Sequence, residues 1–264
     1  MEYPGRVIRL GETDVGVLTE LTSALNQQLV LQGEEVLVLD PEHPVFGLEL
    51  KRAVKLFQSR HVDADGVPLR SDGEVGPITW AVLFGMQSVP AAAQSGDLLL
   101  SEVLEIAAGE EAKRVREQPM NSNRGPEVDE YLLRAGVSPG LAWCCAFVYW
   151  CFDEAAGRLQ RDNPMVRTAG CLDHWNRAPS RGARRIIRHQ AVADPGLLCP
   201  GMVFIIDHGQ GKGHTGLVES VGGGYITTIE GNTDASLTRE GGGVYRLSRK
   251  IVDINKGFID YGGL

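Results

Sequence analysis

The stretch Ala142-Trp143-Cys144-Cys145-Ala146-Phe147-Val148-Tyr149-Trp150-Cys151-Phe152 places cysteines where an apolar helix should begin. A cysteine at a helix N-terminus sits among unpaired backbone N–H groups and the positive end of the macrodipole. Both favour thiolate over thiol. With Cys144 opening the helix, Phe147, Val148 and Cys151 lie three, four and seven positions on, along one face. That face packs on a neighbouring layer, which makes Cys151 a small buried apolar residue. Cys145 points about 100° away from Cys144, so only one of the two can face a given histidine.

Working outward, the segments after Pro195 change period from helical to alternating. Met202-Val203-Phe204-Ile205-Ile206, Thr215-Gly216-Leu217-Val218-Glu219-Ser220-Val221 and Tyr225-Ile226-Thr227-Thr228-Ile229 read as strands of an antiparallel sheet. Gly222-Gly223-Gly224 and Gly241-Gly242-Gly243 supply tight turns. Upstream, a helix is expected from an N-cap at Ser101 to Arg116, and a second from Glu127 to Ala135. Helices first and strands afterwards give an α+β domain over residues 98–264.

The first 86 residues read as a separate helical domain. Apolar residues recur at helical spacing over Val15 to Leu31 and over Phe46 to Phe57, and Pro77 suits the first turn of a short helix. Residues 87–97 include Pro90-Ala91-Ala92-Ala93-Gln94-Ser95-Gly96, which lacks periodicity and bulky side chains. They are expected to be a linker.

Composition bounds the function. The chain has 264 residues, 43% of them hydrophobic, and a formal net charge of −8, which argues against a broad nucleic-acid-binding surface. Arg181 to Arg188 is the only basic cluster and reads as a solvated loop. Five cysteines, three of them at positions 144 to 151, do not form a secreted disulfide framework. The start, Met1-Glu2-Tyr3-Pro4-Gly5-Arg6, lacks the apolar core of a secretory peptide, and no segment approaches the roughly 18 apolar residues of a membrane span. The expectation is synthesis in a reducing cytoplasm without membrane insertion. No Cys/His cluster has zinc spacing, so neither metal nor cofactor is expected.

A thiolate needs an imidazole, and His214 stands out among six histidines. It lies in Gly211-Lys212-Gly213-His214-Thr215-Gly216, a glycine turn running into a strand, which holds a general base rigidly. His208 precedes the turn and reads as exposed. The next strand ends Ile229-Glu230-Gly231-Asn232-Thr233, where Glu230 can orient the imidazole and the Asn232 amide can support the site. A spacing of two puts both side chains on one face of an extended strand.

Four segments together resemble the CHAP family, the cysteine/histidine-dependent amidohydrolases and peptidases of NlpC-like and papain-like fold. They are Trp143-Cys144-Cys145-Ala146-Phe147-Val148, Pro200-Gly201-Met202-Val203-Phe204, Gly213-His214-Thr215-Gly216-Leu217-Val218, and Ile229-Glu230-Gly231-Asn232-Thr233. The resemblance implies Cys144 as nucleophile, His214 as base, and Glu230 and Asn232 as the polar supporting positions. It departs at Cys145, where a small residue is usual, and at Met202, where an acidic residue often follows Pro-Gly. The segment from Asn123 to Leu132 resembles the piece that precedes the cysteine in a bacterial and phage branch. This implies that the segment walls the groove beside Cys144, and Asn123, with Trp143 next to the nucleophile, is expected to contact substrate.

The N-terminal part resembles the small three-helix peptidoglycan-binding domain through Ala53-Val54-Lys55-Leu56-Phe57-Gln58 and Asp72-Gly73-Glu74-Val75-Gly76-Pro77-Ile78-Thr79-Trp80. That resemblance implies peptidoglycan as partner and Trp80 as a substrate contact, whereas the helical spacing of Phe57 and Trp80 reads as core. Together the resemblances imply a peptidoglycan hydrolase cutting an amide of the stem peptide. The bond is either the lactyl–peptide amide or a peptide bond within stem or crossbridge. Without a leader, the protein would act as an endolysin released through membrane lesions or as an injected effector, and an effector would require a cognate immunity protein. Other readings are an idle wall-binding or phage structural protein on the same scaffold, and a cytoplasmic small-molecule amidase.

Overall fold

The computed structural model describes residues 1–31, 39–236 and 241–264. The chain forms two compact units: one of residues 1–91 with the short pieces 192–196 and 222–224, the other of residues 92–191, 197–221 and 225–264.

The first unit holds α1 (Val15–Leu31), α2 (Leu48–Arg60) and α3 (Pro77–Phe84). Pro77 occupies the first turn of α3, where its missing N–H costs nothing. The Gln58 amide joins α2 to the segment before α3. Its Nε2 donates to Asp72 Oδ1 at 3.2 Å and to the Glu74 carbonyl at 2.8 Å, while its Oε1 accepts from the Gly73 N–H at 2.9 Å. Trp80 is 0% exposed. Its ring packs against Tyr3 and Phe84, with centroids 5.8 and 4.3 Å away. A side chain so enclosed offers no face to a ligand, which corrects the expectation that Trp80 contacts substrate. Trp80 is a core residue. The chain leaves this unit within the 87–97 stretch: Met86–Ser88 form a 3₁₀ turn, Val89 is buried in the first core, and Ala92 pairs with Val221 in the second unit.

The second unit is α+β. Its α4 (Leu98–Ala112), α5 (Pro126–Arg134), α6 (Cys144–Arg158) and α7 (Cys171–Arg177) precede most of the sheet. Strand β1 (Arg184–Ile187), a short α8 (Arg188–Ala193), and β2 (Val203–Gly209), β3 (Lys212–Gly222), β4 (Tyr225–Thr233), β5 (Gly243–Lys250) and β6 (Gly257–Asp260) follow. The sheet order is β1-β6-β2-β3-β4-β5. The pairs β1–β6, β6–β2, β2–β3 and β4–β5 are antiparallel.

Two local readings change. The cap of α4 is Asp97, whose Oδ1 accepts the Leu100 N–H at 3.0 Å, so this helix starts before Ser101 and ends at Ala112. An ionised carboxylate also answers the helix dipole better than a hydroxyl. The basic cluster is not a loop, since Arg184 to Ile187 pair with β6 as an edge strand, their arginines facing solvent.

Helix α6 is buried nearly all round, with ten of its fifteen residues inside the core, Phe147, Val148, Cys151 and Phe152 among them. An amphipathic helix would expose a polar face, whereas one apolar on every side must be central. It packs against α4, α5 and β4. The cores of the two units allow a check on the first. Trp80→Ala should lower its stability by about 3–5 kcal/mol in chemical denaturation. A variant as stable as the parent would show that Trp80 is not the centre of that core.

Candidate active site

Cys144 is the first residue of α6. Its amide lies in the helix's first turn, where no intrahelical acceptor exists. Two strands bring the remaining groups to it. His214 is the third residue of β3 and pairs with Ile206 of β2, while Glu230 sits in β4 beside Tyr245 of β5. Cys144, His214 and Glu230 are 3%, 2% and 0% exposed. Such burial of ionisable groups is tolerated only where each finds a partner.

The partners form a chain. His214 Nε2 lies 2.6 Å from Glu230 Oε2. Arg249 of β5 grips the same carboxylate with two donors, Nε to Oε1 at 2.6 Å and a terminal nitrogen to Oε2 at 2.7 Å. Thr228 Oγ donates to Oε1 at 2.5 Å. With Nε2 committed to Glu230, Nδ1 is left to address the thiol. That nitrogen is buried without a hydrogen-bond partner, and the imidazole interacts electrostatically with Cys144.

Charge follows geometry. Burial pushes the Glu230 carboxyl up, but Arg249 and His214 outweigh it and bring its pKa to about 2. Burial likewise pulls His214 down, yet the interactions with Cys144 and Glu230 prevail and raise it to about 9. Around Cys144, the neighbouring Cys171 thiol and burial push the thiol well up against the opposite pull of His214, so the resting site favours the thiol and the proton must move to His214 for attack. Moving one proton from Cys144 to His214 leaves the set neutral, because Glu230 and Arg249 cancel. The arrangement can therefore hold a thiolate–imidazolium pair without a net buried charge. It can also carry a proton between sulfur and a leaving amine.

Glycine at 216 makes this packing possible. A Cβ there would come within 2.7 Å of Glu230 Cγ and 2.9 Å of both the Ile229 carbonyl oxygen and the Phe204 ring. Any side chain at this point of β3 would displace the carboxylate.

The other expected residues fall differently. Asn232 is buried, but it has φ +57° and lies in an irregular stretch of β4 between Glu230 and Thr233. Strand alternation does not run through such a bulge, so the expectation that Glu230 and Asn232 share one extended face is corrected. Trp143 is fully buried and donates through Nε1 to Glu117 Oε1 at 2.8 Å, which corrects its reading as a substrate contact. The other oxygen of Glu117 accepts the Asn123 N–H at 3.0 Å. Glu117 thus ties half-buried Asn123 to the residue just before the nucleophile. Cys145 is turned to the Thr168 carbonyl, 3.5 Å from its Sγ, and all five cysteines are free thiols. His208 is exposed at the end of β2, and His174 is buried against the Tyr261 hydroxyl at 2.7 Å. Burial lowers the His174 pKa to about 3, so it stays neutral.

Arg249, Thr228, Glu117 and Cys171 were not anticipated from sequence. The Arg249 contact depends on how β4 and β5 pair, which places Arg249 opposite Ile226, and no local motif encodes that register. Among the described residues, no group of three or more His, Cys, Asp or Glu side chains could hold a metal ion, and no helix is long and apolar enough to cross a membrane.

These shifts fix a pH dependence. The folded pKa of His214 is raised from 6.5 to about 9, so its contribution to stability is fully present below 6.5 and is lost as pH rises through about 9. That of Glu230 is lowered from 4.5 to about 2, so its contribution is present above 4.5 and is lost as pH falls through about 2. In Glu230→Gln the His214 titration, followed by NMR, should move down toward 6.5. An unmoved titration would mean that the carboxylate does not hold the proton on the ring.

Residues 136–232 match the family model described as CHAP domain, a span that includes Cys144, His214, Glu230 and Asn232. No curated protein and no solved structure matches the chain. The domain match and the α+β architecture of the second unit agree: residues 136–232 of that unit carry a CHAP domain.

Proposed function

We propose that the chain is a peptidoglycan hydrolase that cleaves an amide bond of the stem peptide through an acyl-enzyme on Cys144. The observation that carries this reading is the buried chain from Cys144 through His214 to Glu230, with Arg249 behind it, inside the CHAP-matched segment. A nucleophile, a base and an orienting carboxylate in that order are what acyl transfer by a thiol needs.

In this reading the Cys144 thiolate attacks the amide carbonyl, and the developing oxyanion is met by the Cys144 backbone N–H at the start of α6. His214 gives its proton to the departing amine. It then takes one from water, whose attack on the thioester frees the carboxylate and restores the thiol. Glu230 fixes the imidazole ring and Arg249 fixes Glu230. Both are positioning residues.

The first unit is proposed to bind the wall, on the strength of the two sequence segments that Gln58 ties together. Attachment to the polymer would raise the concentration of substrate at the second unit. The partner is therefore peptidoglycan.

Digestion of purified sacculi tests the reading. Wild type should release soluble peptide or glycan fragments, and their masses identify the bond. Cys144→Ala should release none, His214→Ala should be slower by about 10²–10⁴-fold, and Cys145→Ala should keep most activity. Soluble fragments from Cys144→Ala, or none from wild type, would overturn the proposal.

A further inference from the structure

Cys171, the first residue of α7, takes no part in the hydrolytic steps, yet its Sγ lies 3.5 Å from that of Cys144. It is held there from the side of the base. A Cβ at Gly213, the residue before His214, would stand 3.1 Å from Cys171 Cβ and 2.8 Å from the Ile206 carbonyl oxygen. Cys171 is thus wedged between the nucleophile and the strand that carries its partner. Both thiols are free, and Cys171 is 6% exposed.

A disulfide bond is about 2.05 Å long, so the two sulfurs need approach by only about 1.5 Å. That distance has to be closed by side-chain rotation at the first residues of α6 and α7. Cys145 also interacts with Cys171, but its Sγ is engaged by the Thr168 carbonyl, and Cys151 lies two turns further along α6 in the apolar core.

We propose that Cys144 and Cys171 are a site of reversible oxidative modification, with a hydroperoxide as oxidant, and that the resulting disulfide silences the nucleophile. The silencing rests on the reading of Cys144 given under the proposed function; formation of the bond does not. The Cys144 thiolate attacks the terminal oxygen of the hydroperoxide, breaking the O–O bond. Cys144 becomes a sulfenic acid, and the alkoxide or hydroxide released takes a proton to leave as alcohol or water. Cys171, deprotonated, then attacks Cys144 Sγ. The S–S bond forms and hydroxide leaves, taking up that proton to become water. Two electrons pass from the sulfurs to the peroxide. A dithiol reductant returns both thiols by exchange. A resolving thiol this close also outcompetes a second peroxide, which would carry Cys144 on to the irreversible sulfinic acid.

The test uses the full chain treated with hydrogen peroxide, then denatured and alkylated without reduction. Before alkylation the intact mass should fall by two hydrogens, and after it the protein should carry three alkyl groups where the untreated protein carries five. Fragmentation of the digest should place the bridge between Cys144 and Cys171, with Cys145, Cys151 and Cys199 alkylated. Dithiothreitol should restore both the mass and the activity on sacculi. In Cys171→Ser, whose fold is checked by circular dichroism, peroxide should instead add oxygen to Cys144 and cause a loss that dithiothreitol does not reverse. Sulfinic acid on Cys144 in the wild type, or a bridge from Cys171 to Cys145, would overturn the proposal. Because the bridge is read by mass, a bridged protein that never cleaves sacculi would refute the proposed function alone. An active protein that never bridges would refute the switch alone.

Discussion

The Glu230 carboxylate, fully buried between His214 and Arg249, is the constraint on which the second unit turns. A carboxylate without water needs its lone pairs filled and its charge met. Here Arg249 fills two positions, Thr228 a third and the imidazole a fourth. Once these are in place the ring of His214 has one orientation. The other ring nitrogen is then the one left for Cys144. The register of β4 against β5 and the missing side chain at Gly216 are consequences of the same requirement.

The sulfur at the other end is governed by opposing forces. A helix N-terminus and an imidazole favour thiolate; burial and the Cys171 thiol favour the protonated form. The balance is local, set by side chains from α6, α7 and β3 rather than by the net charge of the chain. Because Glu230 and Arg249 cancel, shifting a proton between sulfur and imidazole changes no net charge within the buried set. Reaction and modification compete for the same sulfur, one with a carbonyl and the other with a peroxide.

Much of this was legible from residue order. An apolar run opening on Cys144 reads as a helix with a packing face, and alternating segments divided by glycines read as strands. The sequence alone therefore offers Cys144, His214 and Glu230 as candidates for their roles. What was not legible lies in tertiary register. Arg249 meets Glu230 because β5 pairs with β4 in one of several registers open to it, and Cys171 meets Cys144 because α7 starts beside the helix of the nucleophile. Trp143 and Trp80 illustrate the opposite failure. Position next to a motif suggested contact with a ligand, whereas their size and burial assign them to cores. Asn232 fails for a third reason, since strand alternation holds only until a bulge interrupts it.

The most direct measurement is mass spectrometry of the enzyme acid-quenched during turnover on peptidoglycan fragments. A peptidoglycan-derived acyl group carried as a thioester on Cys144, absent from Cys145 and from the His214→Ala protein at the same early time, is the predicted result. An acyl group on another residue, or full turnover in a protein lacking the Cys144 thiol, would contradict the account.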